Sequence, residues 1–494
     1  MSLSSLWSAA QAAAADAHTM DVLGTPSPVL MERASLCVAA EVQAVAQGRA
    51  VVCLVGPGNN GGDALAVARI LQGRGMQAHA WLVTPRRNEA ADAQLSLARS
   101  HDVQVHESAQ ALPEEAVWVD GLLGTGATGA ARGAIAEALE WVRGRSGPHV
   151  AIDVPSGIGV DSGEVPGAAF EADVTVTFVR SKPGLHITPG RDHTGQVVVA
   201  DIGIVAAPGA PGAARALTAD AVADLLTTFP RSAPHKGARG HVGVLGGSPD
   251  TPGAAVLAGV AAMRSGAGLC TLIGTAVPSG RPELMHAPLR DPLLPSATAL
   301  VVGPGLTELP PQPLLETLYL QDPRPAVWDA SALDAMPLGG TPLGPRIVTP
   351  HPGEAARMLA RAEPEAGWTS ARVQAERRRA VHALQAVTGA AVVLKGAGSL
   401  VCEGDALAIA VEGSDALATA GSGDVLAGCL GGLLAQGLSA MDAACVGVSV
   451  HGRAGDAATQ RRPLALEIAD ALPEALHAAT RGRVSAEHPR LRQG

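Results

Sequence analysis

Val51-Val52-Cys53-Leu54-Val55-Gly56-Pro57-Gly58-Asn59-Asn60-Gly61-Gly62-Asp63 is the stretch on which the fold of the first half turns. Its five apolar residues read as a strand buried on both faces. The glycines that follow permit a tight turn, and residues 63–73 continue with helical spacing. A strand that feeds a helix through a glycine-rich turn opens a parallel α/β unit. The turn matches G-x-G-x-x-G and sets backbone N–H groups at a helix start, a place suited to a phosphate. A dinucleotide site also expects an acid after the second strand. Residues 83–87 read Val-Thr-Pro-Arg-Arg instead, which argues against hydride transfer.

The same alternation runs outward from this stretch. Strands are expected at 50–55, 78–83, 116–119, 149–154, 174–179 and 196–200, and helices at 29–47, 63–73, 88–100 and 132–145. Residues 206–215 are small, turn-rich and aperiodic, and read as a linker. A second α/β region follows, with strands near 241–245, 269–273, 299–302, 326–329, 346–348, 391–394 and 407–411, and helices from about Asp424 onward. The final ten residues are polar and are expected to fray. The 494 residues thus divide into two domains, 1–213 and 217–494.

Composition excludes several classes. The net charge is −10 and no basic stripe stands out, which argues against nucleic acid. The longest apolar stretch, Val425 to Leu438, is too short to span a bilayer, and the N-terminus lacks a basic region ahead of its Ala tract. Six scattered cysteines without a C-x-x-C pair suit a reducing cytoplasm. Lysine is almost absent: only Lys182, Lys236 and Lys395 remain, each in a loop-like context beside glycine or proline. Where Arg serves as the ordinary surface cation, a retained lysine is a candidate for a compact or titratable charge. Only three asparagines occur, two of them at Asn59-Asn60.

Candidate sites gather at expected strand ends. In the first half these are Asn59 to Asp63, Asp120 before a glycine loop, and Asp153 with Ser156. Their oxygens suit a hard cation, and Lys182 is placed to exchange a proton with Asp153. A lone Asp in such a position is more often a turn former, but the recurrence at three strand ends favours function. In the second half, Thr419-Ala420-Gly421-Ser422-Gly423-Asp424 sets an anion hole beside a carboxylate. Lys395-Gly396-Ala397-Gly398-Ser399 is a second phosphate-grade loop, and Thr349-Pro350-His351-Pro352-Gly353-Glu354 adds an imidazole and a carboxylate.

The segments GPGNNGGD, DGLLGTG, AIDVPSG, TVTF with Lys182, and DIGI resemble the YjeF N-terminal family of NAD(P)H-hydrate epimerases. Ala64 departs from that pattern, where glycine is usual. The series from His235-Lys236-Gly237 through Gly253-Ala254, Gly303-Pro304-Gly305, His351, Lys395 to Asp424 is similar to ADP/ATP-dependent NAD(P)H-hydrate dehydratases. Together the resemblances cover almost the whole chain. They imply a Rossmann-like three-layer N-terminal domain and a ribokinase-like α/β C-terminal domain.

The epimerase resemblance implies potassium at Asn60, Asp120 and Ser156. It implies substrate contacts at Asn59, Asn60, Gly61, Gly62 and Asp63, at Gly124, Thr125, Gly126, Ala127, Thr128, Gly129 and Ala130, and at Asp153. Asp153 and Lys182 would be its acid–base pair. The dehydratase resemblance implies hydrated NADH or NADPH at Ala254, Gly305, His351 and Asp424. It implies adenine nucleotide, ADP with Mg2+, at Lys395, Gly396, Ala397, Gly398, Ser399 and Gly423. Asp424 would activate the hydroxyl of the S hydrate, phosphorylation would make it a leaving group, and elimination would restore the ring. The expected enzyme is a cytoplasmic homo-oligomer. The rival readings are a small-molecule kinase with an accessory domain, a non-catalytic N-terminal module, and an NAD(P) oxidoreductase.

Overall fold

The computed structural model describes residues 4–207, 212–227, 235–274, 280–290, 293–458, 462–480 and 491–493. The chain divides into two compact units, Met1–Arg215 with Ala486–Gly494, and Ala216–Ser485.

The first unit is built on strands β1 (Val51–Val55), β2 (Ala78–Leu82), β3 (Gln104–His106), β4 (Val117–Gly121), β5 (His149–Ile152), β6 (Val174–Phe178) and β7 (Gln196–Ala200). The helices are α1 (Ala9–Ala17), α2 (Ser27–Ala46), α3 (Asn59–Gly73), α4 (Glu89–Ser100) and α5 (Ala134–Arg143). The strands form one eight-stranded sheet with the C-terminal strand Leu491–Gln493, in the order Leu491–Gln493, β7, β6, β5, β4, β1, β2, β3, and every pairing is parallel. Alternation along β1 divides the core. Val51, Cys53 and Val55 pack with residues of α2, α3 and α4, while Val52 and Leu54 pack with Ala138, Leu139 and Val142 of α5. These are the expected three layers. The strand order reverses between β1 and β4, and in such sheets a ligand crevice opens where the order reverses.

The second unit contains β8 (His241–Leu245), β9 (Leu269–Ile273), β10 (Met285–Ala287), β11 (Ala299–Val302), β12 (Ala326–Trp328), β13 (Arg346–Val348), β14 (Ala391–Leu394), β15 (Leu400–Glu403) and β16 (Ala406–Ile409). Its sheet runs β16, β15, β14, β13, β12, β11, β8, β9, β10. The pairings are parallel except for the antiparallel β14–β15–β16 meander. Helices α6 (Pro252–Arg264), α9 (Ser422–Ala435), α10 (Ala440–Ala458) and α11 (Ala465–Thr480) share one core with Val242, Val244, Val301 and Val393. Helices α7 (Pro352–Ala362) and α8 (Arg377–Thr388) pack on each other, and α8 also packs on β14 and β15. Order reverses here between β8 and β11.

Differences from expectation lie at the ends. The last residues do not all fray: Leu491 is 1% exposed, and Leu491–Gln493 pairs with β7. Arg492 meets Glu41 at 2.5 Å. Otherwise β7 would present an unpaired sheet edge. Leu491–Gln493 therefore belongs to the first unit, not to a second domain running to 494. The linker expected at 206–215 lies partly outside the described residues, and its last residues enter the short strand Ala214–Ala216. Among the described residues no helix is long and apolar enough to cross a membrane.

Candidate functional sites

A cavity of about 560 Å³ opens in the first unit, lined by Trp7, Asp16, Asn59, Asn60, Asp63, Gly124 to Ala127, Asp153 and Lys182 among others. Glycine explains how β1 and β4 can deliver their loops so close together. A Cβ on Gly56 would stand 1.8 Å from Leu122 O, and one on Gly61 would stand 2.1 Å from Gly56 O. Gly61 and Gly62 are therefore packing positions rather than cavity lining, and Thr128, Gly129 and Ala130 do not line it either. Ala64 fits because Gly121 faces it: a Cβ there would fall 2.4 Å from the Ala64 methyl.

All three asparagines meet near this turn. Asn88, which the sequence reading passed over, donates to Asn59 Oδ1 at 2.7 Å and caps α4. Asn60 donates to Leu123 O at 2.7 Å and to Ile152 O at 3.1 Å. Asp120 is fully buried. It accepts from Ser156 N at 2.7 Å, Ser156 Oγ at 2.8 Å and Leu122 N at 3.0 Å. Burial pushes its carboxyl up to about 6 despite the opposing hydrogen bonds from Ser156 and Leu122. Asn60 on the cavity wall thus has Asp120 and Ser156 behind it.

Asp153 adopts φ +63, a left-handed conformation uncommon outside glycine though less costly for Asp than for most residues, and its side chain is constrained. The constraint is visible: Lys182 Nζ donates to Asp153 Oδ1 at 2.5 Å and to Thr177 Oγ1 at 2.7 Å, and Thr177 donates to the same carboxylate at 3.0 Å. Lys182 is 2% exposed. The pairing of Lys182 with Asp153 expected from their strand-end loops is present. Asp63 is held well above the ordinary carboxylate range by burial, with Asp153 and Asp16 adding to the effect. Asp16 was not legible as a site residue, because the Ala-rich segment that carries it shows no strand-end context.

The second unit repeats the pattern at the carboxyl ends of β8, β11, β12, β13 and β14. Lys395 donates to Asp329 Oδ1 at 2.7 Å and lies 3.8 Å from Glu354 Oε2. Burial works against the Lys395 charge, but Asp329, Glu354 and Asp424 outweigh it and raise the ammonium above its ordinary value. Thr349 Oγ1 donates to the same oxygen of Asp329 at 2.7 Å. Asp329 directly follows β12 and was missed, although a strand-end carboxylate was the signal that found Asp120 and Asp153.

Gly421 opens α9 at φ +88. A Cβ on Gly423 would stand 3.6 Å from Lys395 Nζ and 3.9 Å from Asp329 Oδ2, so the lysine pair borders the loop before Asp424. Burial, then Asp329, push the Asp424 carboxyl up to about 6, while Lys395 opposes them. Beneath the loop His451 is 6% exposed, among the described residues its Nε2 has no hydrogen-bond partner, and burial pushes its imidazole down to about 4.

The remaining predicted residues fall around this centre. Ala254 and Gly305 are neighbours: a Cβ on Gly305 would fall 2.8 Å from the Ala254 methyl, and Thr251 Oγ1 donates to Gly305 O at 2.8 Å. His351 caps α7, with Nδ1 accepting from Gly353 N at 3.0 Å and Nε2 3.4 Å from Glu354 Oε1. The Lys395–Ser399 loop is clamped from below by buried Arg377, which donates to Leu394 O at 3.2 Å, Lys395 O at 3.2 Å and Gly398 O at 3.3 Å. Lys236 takes no part and sits in the exposed 3₁₀ turn Lys236–Arg239.

With this geometry established, similarity to known proteins is informative. The family described as YjeF-related protein N-terminus matches residues 27–184, and the NAD(P)H-hydrate dehydratase family matches residues 242–475. The bifunctional NAD(P)H-hydrate repair enzyme of Escherichia coli is 35% identical over 476 residues, covering 92% of this chain and 90% of its own. That of Moorella thermoacetica is 36% identical over 506 residues, covering 91% and 92%. Among solved structures, the ADP/ATP-dependent NAD(P)H-hydrate dehydratase of Bacillus subtilis, co-crystallised with ATP/Mg2+, is 29% identical with a TM-score of 0.47. It covers 53% of this chain and 97% of its own. The length and level of the match to enzymes carrying both units, in this order, mean that the chain belongs to the family of bifunctional NAD(P)H-hydrate repair enzymes.

Proposed function

We propose that this chain repairs hydrated NADH and NADPH, with residues 1–213 interconverting the R and S hydrates and the second unit dehydrating the S hydrate at the expense of ADP. The observation that carries the reading is the Lys395–Asp329 pair bordering the loop before Asp424. A helix start, a compact cation and a basic oxygen are the elements phosphoryl transfer needs. Asp424 takes the proton of the substrate hydroxyl, and backbone N–H groups of Gly421 to Gly423 with Lys395 balance the charge on the transferring group. His351, Ala254 and Gly305 border the nicotinamide end, and Gly396 to Ser399 meet the adenine nucleotide. Once phosphorylated, the former hydroxyl leaves as phosphate and the ring double bond returns.

Mg2+ fits this arrangement as an ion that arrives on the nucleotide. Such an ion needs one or two protein carboxylates beside the phosphates. Asp329 and Glu354 are at hand, and among the described residues no group of three or more His, Cys, Asp or Glu converges as a free-standing metal site. The ion would neutralise phosphate charge. Potassium fits Asn60, Asp120 and Ser156: the buried Asp120 carboxylate has no ion-pair partner among the described residues, and the cation would supply its counter-charge. In the first unit Asp153 and Lys182 exchange protons with the hydrate. The free cysteines fit action in the cytoplasm.

The test is a purified chain with ADP, or separately ATP, and hydrated NADH. NADH absorbance should return in step with nucleotide consumption and phosphate release. A stable phosphorylated product would make the chain a kinase and overturn the dehydratase reading.

A further inference from the structure

Helix α1 brings a third carboxyl into the N-terminal cavity, and the reaction above does not use it. Asp16 lines the cavity with Asp63, Asp153 and Lys182. Its helix is anchored. Ser8 and Gln11 form a capping box at its start. Ala9 N donates to Asp161 Oδ1 at 2.8 Å, and Trp7 N donates to the carbonyl of Ser181, the neighbour of Lys182, at 2.9 Å. Beyond the helix, buried Thr19 accepts from Val205 N at 2.9 Å. The other two carboxyls of the cavity differ from it in setting. Asp153 is held by Lys182 and Thr177, and Asp63 is 8% exposed. No hydrogen bond or ion pair among the described residues holds Asp16. Burial, reinforced by Asp153 and opposed by Lys182, pushes its carboxyl up to about 6. Both protonation forms are then accessible near neutrality.

We propose that Asp16 is a catalytic residue of the epimerisation, exchanging a proton with the hydrate while the Asp153–Lys182 pair handles the other. The proposal rests on the epimerase reading of this cavity. The inverted carbon of the hydrate carries a hydroxyl and is bonded to the ring nitrogen. In a ring-opening route the hydroxyl proton passes to one carboxylate. The C–N bond breaks with its electron pair on nitrogen, and nitrogen takes a proton from the other carboxyl, leaving an aldehyde. After rotation, nitrogen adds to the opposite carbonyl face. It returns its proton, and the oxygen regains one. Atoms and electrons balance without oxidant, reductant or co-substrate, and two proton-handling groups suffice.

The experiment uses the full chain and a single epimer of hydrated NADH, with both epimers followed chromatographically and the spontaneous rate subtracted. Wild-type protein that fails to speed interconversion refutes the epimerase reading itself, before Asp16 is in question. Given an active wild type, Asp16→Asn should slow epimerisation by roughly 10²–10⁴-fold. Nucleotide-dependent dehydration should be unchanged, and the melting temperature equal or higher, because a partly buried charge has been removed. A folded Asp16→Asn variant within a few-fold of wild type overturns the proposal. Should this variant unfold, Asp16→Glu decides: a shifted acid limb of the epimerisation pH profile supports the role, and an unshifted one overturns it.

Discussion

At the level of single residues, chemistry was legible where a rare residue type met a strand end. Lys182 and Lys395 stand out because arginine does the ordinary work elsewhere, and they prove to be buried and half-buried, each against an aspartate. Their partners were harder to see. Asp153 was found from its loop, whereas Asp329 was hidden at the end of an apolar run. Asp424 carries the sharpest consequence. It acts as a base only when ionised, and its carboxyl is raised to about 6, chiefly by burial. Dehydration at limiting substrate should therefore fall about tenfold per pH unit below that value. Asp424→Asn should lose roughly 10²–10⁴-fold in dehydration yet keep adenine-nucleotide binding and epimerisation. Turnover within a few-fold of wild type in the folded variant contradicts the assigned role. Asp120 makes a different prediction. Its folded value of about 6 lies above the ordinary 3.8. The protonated form therefore stabilises the fold below about 4, and that contribution is lost as pH rises through about 6. At neutral pH the uncompensated charge costs on the order of 3 kcal/mol. Replacing choline by potassium should raise the melting temperature of wild type and leave Asp120→Asn unmoved. Equal responses would argue against a cation there.

Elements were legible where period and length agreed. β1, β7, β8, β9 and β11 fall within a residue of expectation because each is a mostly apolar run between turn residues. β3 and β10 are three-residue edge strands too short to show a period, and β15 merges with the glycine loop before it. Helix α1 was passed over because its alanines were weighed only against a signal peptide, although Ser8 and Gln11 spell a capping box. That omission concealed Asp16. The close approach of strand ends also sets an element-scale prediction. Gly303 follows β11 at φ +123, and a Cβ there would stand 1.8 Å from Asp329 O. Gly303→Ala combines backbone strain with overpacking and should cost about 2–4 kcal/mol in denaturant unfolding of the second unit. It should displace Asp329 and with it Lys395, so dehydration should fall while epimerisation holds. Unchanged stability and turnover would show that the β11 and β12 ends are not coupled in this way.

For the whole molecule, the sequence conveyed two α/β units with a site at each set of strand ends. It did not convey that the last strand, Leu491–Gln493, returns to the first unit, because three residues in a polar tail carry no period. The division of labour between the units is the central claim, and one time course tests it most directly. An equal mixture of R and S hydrates of NADH is incubated with adenine nucleotide, and NADH absorbance is followed to completion. Wild type should recover both epimers. Asp153→Asn should recover the S share at the wild-type rate and then slow to the spontaneous epimerisation rate, while Asp424→Asn should recover neither. Wild type that recovers nothing with ADP or ATP, or an Asp153→Asn variant that recovers both shares as fast as wild type, would contradict the account.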